Sequence, residues 1–241
     1  MKISFPSIVI ALAALLFFVV RTPVRTVAAE SGGTLSGTVK FEGTPPKPTK
    51  IDMSFDPNCA KAHPTPPTTE EVVTGAGGGL ANVVVYVADG LANQTFQPPT
   101  QPVVLEQKGC VYVPHVIALQ ANQKLDVVNS DLTTHNIHPS PANNREWNMT
   151  QPHAVPIEQT FAREEVAIPV KCNVHPWMKG YIAVLKHPYF AVTDKSGHFE
   201  VKDLPPGTYT INAWQEKFGV QTQKVTVTAG QSANLEFVFK Q

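Results

Sequence analysis

Along most of the chain, apolar and polar residues follow the period of a strand and not that of a helix. Residues 34–41 (TLSGTVKF) alternate and stop at a Gly-Thr-Pro-Pro turn, residues 43–46. Residues 82–88 (NVVVYVA) are nearly all apolar, the pattern of a strand covered on both faces, and Asp89-Gly90 ends them. Residues 42–79 are rich in Pro, Thr and Gly and read as mostly loop; residues 92–102 read as a connection. Strand patterns resume at 103–106, 112–119, 124–129, 160–169, 170–172 and 180–186, with a polar, irregular stretch at 143–155. In the last fifty residues, 189–193 and 198–201 flank Asp194-Lys195-Ser196-Gly197, which predicts a hairpin turn. Leu204-Pro205-Pro206-Gly207 predicts a type II turn. Strands are predicted at 208–214, 224–228 and 234–240, with Leu235, Phe237 and Phe239 on one face of the last. Many short strands separated by turn residues predict an all-β protein built as a sandwich or as two.

The 241 residues suffice for one large domain or two small ones. At 42% hydrophobic and 16% charged residues, the chain is far from a disordered composition. Basic and acidic side chains balance at 19 each, without the basic excess of a nucleic-acid binder. Met1-Lys2 and the apolar run 8–20 precede Val27-Ala28-Ala29, so residues 1–29 read as an export signal cut before Glu30. Arg21 and Arg25 after the run leave an uncleaved N-terminal anchor as the alternative. The mature form is then expected to carry no membrane span. An exported chain sits where disulfides persist. Cys59 and Cys110 have no metal-like neighbours at short spacing, and they are read as a disulfide, with two free thiols as the alternative. Cys172 is left over.

Cys172 opens the richest segment, Cys172-Asn173-Val174-His175-Pro176-Trp177-Met178. Upstream lies Asn129-Ser130-Asp131-Leu132-Thr133-Thr134-His135-Asn136. Two His and one Cys with a weak axial Met form the ligand field of a mononuclear blue-copper centre. A strand can deliver Cys172 at its end, and a tight loop stiffened by Pro176 can bring His175 and Met178 round the same ion. His135 must then come from a neighbouring strand end. The rival readings are a buried free Cys with ordinary surface His and a core Met, or zinc, which prefers harder sets of Cys and His. Trp177 is either a rim contact at an electron-transfer edge or a loop anchor. His138 and the His at 63, 153, 187 and 198 read as solvated, and His115 as structural.

Cys-x2-His-x2-Met, together with Asn-x-Asp-x3-His-Asn and Tyr112-x-Pro114, resembles the cupredoxins, the small blue-copper proteins, over residues 102–187. The resemblance implies a Greek-key sandwich with His135, Cys172, His175 and Met178 as copper ligands. It implies that Asn136 steadies the ligand loops by hydrogen bonding and that His175 presents its ring edge near the surface. The family's usual Gly before the strand leading to the first His is missing; the turn here is Ala121-Asn122-Gln123. Residues 192–210 are similar to the carboxypeptidase regulatory-like domain, a transthyretin-type sandwich, and Gly37-Thr38-Val39 with 82–87 match its opening strands. The expected organisation is a signal peptide at 1–29, a regulatory-like sandwich shared between 30–101 and 188–241, and a cupredoxin domain at 102–187. The alternative is a larger cupredoxin from 34 to 187 followed by a small β module.

The function expected is electron transfer by one copper ion outside the cytoplasm, with a redox protein as partner. A copper-binding or structural, partner-binding role is the second reading. An enzyme is the third and least favoured, since the His-x-His pairs often used by further copper sites, Gly-x-Ser-x-Gly and Walker A patterns are missing from the sequence.

Overall fold

A computed structural model describes residues 1–2, 31–92 and 94–241. The expected signal segment falls almost wholly outside the described residues. In chain order the elements are β1 (Gly33–Glu42), α1 (Pro57–Ala62), β2 (Val84–Asp89), β3 (Val103–Gln107), β4 (Tyr112–Val113), β5 (Val116–Gln120), β6 (Leu125–Asn129), β7 (His135–Pro139) and β8 (Met149–Gln151). They continue with β9 (Ile157–Gln159), β10 (Glu165–Lys171), β11 (Lys179–Leu185), β12 (Phe190–Val192), β13 (His198–Leu204), β14 (Gly207–Gln215), β15 (Gly219–Val227) and β16 (Ser232–Lys240). The protein is all-β apart from α1 and one 3-10 turn among the described residues.

The strands pair into four sheets, ordered β13-β1-β16, β12-β2-β14-β15, β5-β11-β10-β7-β8 and β4-β3-β6-β9. The first two enclose a core that includes Leu35, Val39, Val85, Val87, Phe199, Ile211, Phe237 and Phe239. The alternation of β1 puts every second side chain into it. The other two sheets enclose Leu105, Leu119, Leu125, Ile137, Phe161, Ile168, Ile182 and Val184, together with Cys172 and Met178. A third cluster (Val84, Val116, Ala183, Leu185 and Trp214) joins the two sandwiches. It explains the unbroken apolar run at 82–88: Val83, Val85 and Val87 face their own core, and Val84 faces the neighbouring sandwich. In β11, Ile182 and Val184 turn one way, Ala183 and Leu185 the other.

Two expectations need correction. Residues 189–193 and 198–201 do not form a hairpin, because β12 pairs with β2 and β13 with β1. The turn between them crosses from one sheet to the other. Gly197, at φ 77°, sits where a Cβ would strike the Val39 carbonyl oxygen and the Leu80 nitrogen. At the next turn Gly207 does not take the positive φ of a type II turn; the left-handed residue is Asp203, at the end of β13 just before it, and the Tyr209 hydroxyl donates to the Pro205 carbonyl. The stretch 42–79 is mostly loop, as expected, with the short α1 inside it, and the polar stretch 143–155 holds the three residues of β8. The helix had its signals in Asp56 and Pro57, an N-cap followed by proline at the first helical position.

One buried ion pair crosses between the sandwiches. The His115 Nε2 donates to Glu216 Oε1 at 2.6 Å, and the Nδ1 lies 3.2 Å from the Lys179 carbonyl oxygen. Both side chains are less than a tenth exposed. Burial pulls the imidazole down, but the Glu216 bond and charge, Glu70 and the Lys179 carbonyl outweigh it, so the net shift is upward from 6.5. A His raised by folding stabilises fully below its unfolded value and loses that stabilisation as pH climbs through the folded one. Urea unfolding of the wild type and His115→Gln, compared between about pH 5 and pH 9, should show the largest gap at the acid end and a closing gap at the alkaline end. A gap that widens with pH would contradict this.

Candidate metal centre

The site lies at one end of the second sandwich, where β7 begins and β10 ends. These strands are antiparallel, with Lys171 opposite His138, so their neighbours Cys172 and His135 emerge at the same end. The loop after Cys172 is short and tied to itself. The Cys172 N–H donates to the Met178 carbonyl at 3.3 Å, and the Met178 N–H to the His175 carbonyl at 3.0 Å. Asn136 ties the two strands: its Oδ1 accepts from the Asn173 N–H at 3.1 Å, and its Nδ2 donates to Asn148 Oδ1 at 2.6 Å. Beneath the site, the Tyr112 hydroxyl lies within reach of the Asn136 and Lys171 carbonyls.

His135, Cys172 and His175 offer three ligand atoms within 4.8 Å of one another. His135, His175 and Met178 are fully buried and Cys172 is 3% exposed. The two Nδ1 atoms face each other at 2.9 Å, and the His175 Nδ1 is 3.9 Å from the Cys172 sulfur. That sulfur accepts the backbone N–H groups of Asn136 and His175, each at 3.3 Å. Burial pushes the thiol up, but the His135 bond and these amides outweigh it and bring it below its ordinary value. The Tyr112 phenol is pushed well up, by burial and by the nearby thiolate charge.

Each imidazole is held from behind by a carboxylate. The His135 Nε2 donates to Asp131 Oδ2 at 2.8 Å, and the His175 Nε2 to Asp56 Oδ2 at 3.1 Å. With both Nε2 atoms donating outward, both Nδ1 atoms are turned inward, toward each other and the Cys172 sulfur. Burial lowers His135, yet Asp131 and Cys172 raise it net; burial and the charge of His135 leave His175 lowered. Both carboxyls are held below their usual range, because these hydrogen bonds outweigh the cost of burial.

The structure also bonds Cys59 to Cys110, 51 residues apart. Asp56, Cys59 and His175, and likewise Cys110, Asp131 and His135, cluster like metal ligands. Their sulfurs are spent in the disulfide, so the open thiolate is that of Cys172. Residues around α1 pack on the second sandwich, with Met53 and Cys59 in its core.

That packing overturns one expectation. The ring of His175 is not at the surface; Asp56 and the disulfide cover it, with the Cys59 sulfur 3.6 Å from its Nε2. Trp177 is a loop anchor: its indole packs on His175 with centroids 5.1 Å apart and donates to the Cys110 carbonyl at 3.0 Å. His187 is buried as well, donating to the Val87 carbonyl, because the turn that holds it is covered by aromatic neighbours. His138 is bonded to Glu146 and lies 3.3 Å from Asn173 Oδ1. Asp56 and Asp131 escaped the sequence reading as site residues. Asp131 stood four residues before His135, and its turn position hid its second role.

Residues 182–240 match the family model of the carboxypeptidase regulatory-like domain. No curated protein matches the chain. Among solved structures, the chain is similar in part to a copper-containing nitrite reductase from Thermus scotoductus, at 21% identity over 41% of this chain and TM-score 0.33. It spans only 25% of that enzyme. A purple cupredoxin from Nitrosopumilus maritimus shares 24% identity over 31% of this chain and 81% of its own, with TM-score 0.28. A point mutant of amicyanin, in its Cu(I) form, shares 15% identity over 42% of this chain and 97% of its own, with TM-score 0.31. Scores of this size carry no residue-level correspondence.

Closing a loop of this length by a disulfide contributes about 4 kcal/mol by restricting the unfolded chain. The Cys59→Ser/Cys110→Ser double variant should lose about that much in urea unfolding. An unchanged midpoint would show that the cross-link contributes no net stability through the unfolded chain.

Proposed function

We propose that this protein is an exported mononuclear copper protein of the blue-copper type, acting in electron transfer. His135 and His175 through Nδ1, with Cys172 through its sulfur, would hold the ion, and the thioether of Met178 would be a further, weak donor. The chemistry copper supplies in such a site is a one-electron couple. The chain's own residues exclude water, keep the thiol acidic and hold both imidazoles in one tautomer. The single observation that supports this most strongly is the convergence of two inward-facing Nδ1 atoms and an amide-stabilised sulfur in a buried pocket. Thiolate and thioether together favour copper over zinc.

In this reading the protein makes and breaks no covalent bond in a substrate, and its partner is another redox protein. Export accords with the disulfide and with residues 1–29 as a signal segment. Among the described residues, no helix is long and apolar enough to cross a membrane. Residues 102–187 would be the copper-holding unit, set between the 30–101 and 188–241 parts of a regulatory-like sandwich. The covered ring of His175 favours a second reading, in which copper is stored or structural and the regulatory-like sandwich attaches to a partner.

Copper-loaded wild type should show an intense thiolate-to-copper visible band and the matching spin-resonance spectrum, and Cys172→Ala should lose both. A loaded protein without the band would overturn the blue-copper reading. Fast electron self-exchange supports the carrier; slow exchange with tight Cu(I) retention supports storage.

A further inference from the structure

The two carboxylates behind the imidazoles are themselves anchored, and the anchors converge on one cross-link. Asp56 Oδ1 caps α1 by accepting the N–H groups of Asn58 at 2.8 Å and Cys59 at 3.5 Å. Its Oδ2 faces His175 and accepts the Thr133 hydroxyl at 3.0 Å. Asp131 Oδ1 accepts the Gly109 N–H at 2.6 Å, and its Oδ2 accepts the Cys110 N–H at 2.7 Å as well as His135. Gly109 and Cys110 both take left-handed φ, 63° and 57°, which aims their successive N–H groups at that one carboxylate. A left-handed Cys is uncommon and is held there by its surroundings. Each half of the disulfide therefore gives its backbone N–H to the carboxylate that holds one imidazole.

We infer that Asp56 and Asp131, joined through the Cys59–Cys110 cross-link, are positioning residues that orient both imidazoles and bias the centre toward its more highly charged oxidation state. This rests on the copper reading above. The orienting half follows from geometry: with Nε2 engaged on both rings, neither can turn its other nitrogen to the ion without breaking a buried bond. The electrostatic half follows from charge. Each carboxylate sits one imidazole away from the ion, in a pocket where water screens little. A carboxylate behind a ligating His also strengthens it as a donor, and losing such a partner typically weakens metal binding by about 10- to 100-fold. Two negative groups stabilise Cu(II) more than Cu(I), so they lower the reduction potential.

Asp56→Asn removes the charge and keeps one acceptor: its amide oxygen can still take the Nε2–H, while its nitrogen gives up the cap on the Asn58 and Cys59 N–H groups. Copper-loaded Asp56→Asn should keep the visible band, show a higher reduction potential, and bind Cu(II) about 10- to 100-fold more weakly with a smaller change for Cu(I). Asp56→Glu should recover part of the potential. Asp131→Asn should act in the same direction; because Asp131 also orders the 109–110 turn, the Asp56 variants carry the test if it fails to fold. In the zinc-loaded wild type, imidazole nitrogen resonances should show both Nε2 atoms protonated, with Nε2–H protons slow to exchange, and Asp56→Ala should speed exchange at His175 alone. A wild type without the band defeats the copper reading. A band retained in Asp56→Asn, with potential and Cu(II) affinity equal to wild type, defeats the positioning role and leaves the copper reading standing.

Discussion

The structure depends on holding two imidazoles and a thiolate away from water with both Nε2 atoms and the sulfur partnered. Burying such groups unpaired costs several kcal/mol each. Here the cost is met from outside inward. Asp131 and Asp56 take the Nε2–H groups, backbone amides take the sulfur, and the Nδ1 atoms are left facing one another across the space between. Without the carboxylates, either ring could present its other nitrogen, and the three donor atoms would no longer converge.

The rest of the chain can be understood as the means of keeping those carboxylates in place. The antiparallel β7 and β10 bring the His135 and Cys172 ends together. The segment around α1 crosses to the second sandwich and is fastened there by the disulfide and by Met53 in the core. Trp177 braces the ligand loop against the same disulfide through the Cys110 carbonyl. The apolar seam of Val84, Val116, Ala183, Leu185 and Trp214, with the His115–Glu216 pair beside it, keeps the two sandwiches in register. His175 is covered, so its imidazole is reached from outside only through Asp56 and the disulfide.

Much of this was legible in the sequence, for reasons that differ from element to element. Alternation in residues 34–41 and the continuous run at 82–88 showed a one-sided and a two-sided strand, because side-chain period reports burial directly. Cys172 and His175 were visible because one tight loop brings them together, and local spacing survives in sequence. The pairing of Cys59 with Cys110 was reached by leaving Cys172 to the site. What stayed hidden depends on long-range packing. The contact of Asp56 with His175 spans 119 positions and its cap helix has six residues, too short for periodicity to register. The turn at 194–197 carried correct hairpin chemistry, yet its flanking strands were drawn into opposite sheets by β1 and β2. Local turn residues determine a reversal but not which neighbours the strands then choose.

The most direct measurement is a crystal structure of the copper-loaded protein, with the metal located by anomalous scattering at the copper edge. One copper should lie among the Nδ1 atoms of His135 and His175 and the sulfur of Cys172, with both Nε2 atoms still on Asp131 and Asp56. Copper bound on the Nε2 side, at the carboxylates, or away from Cys172 would contradict the arrangement on which everything else here rests.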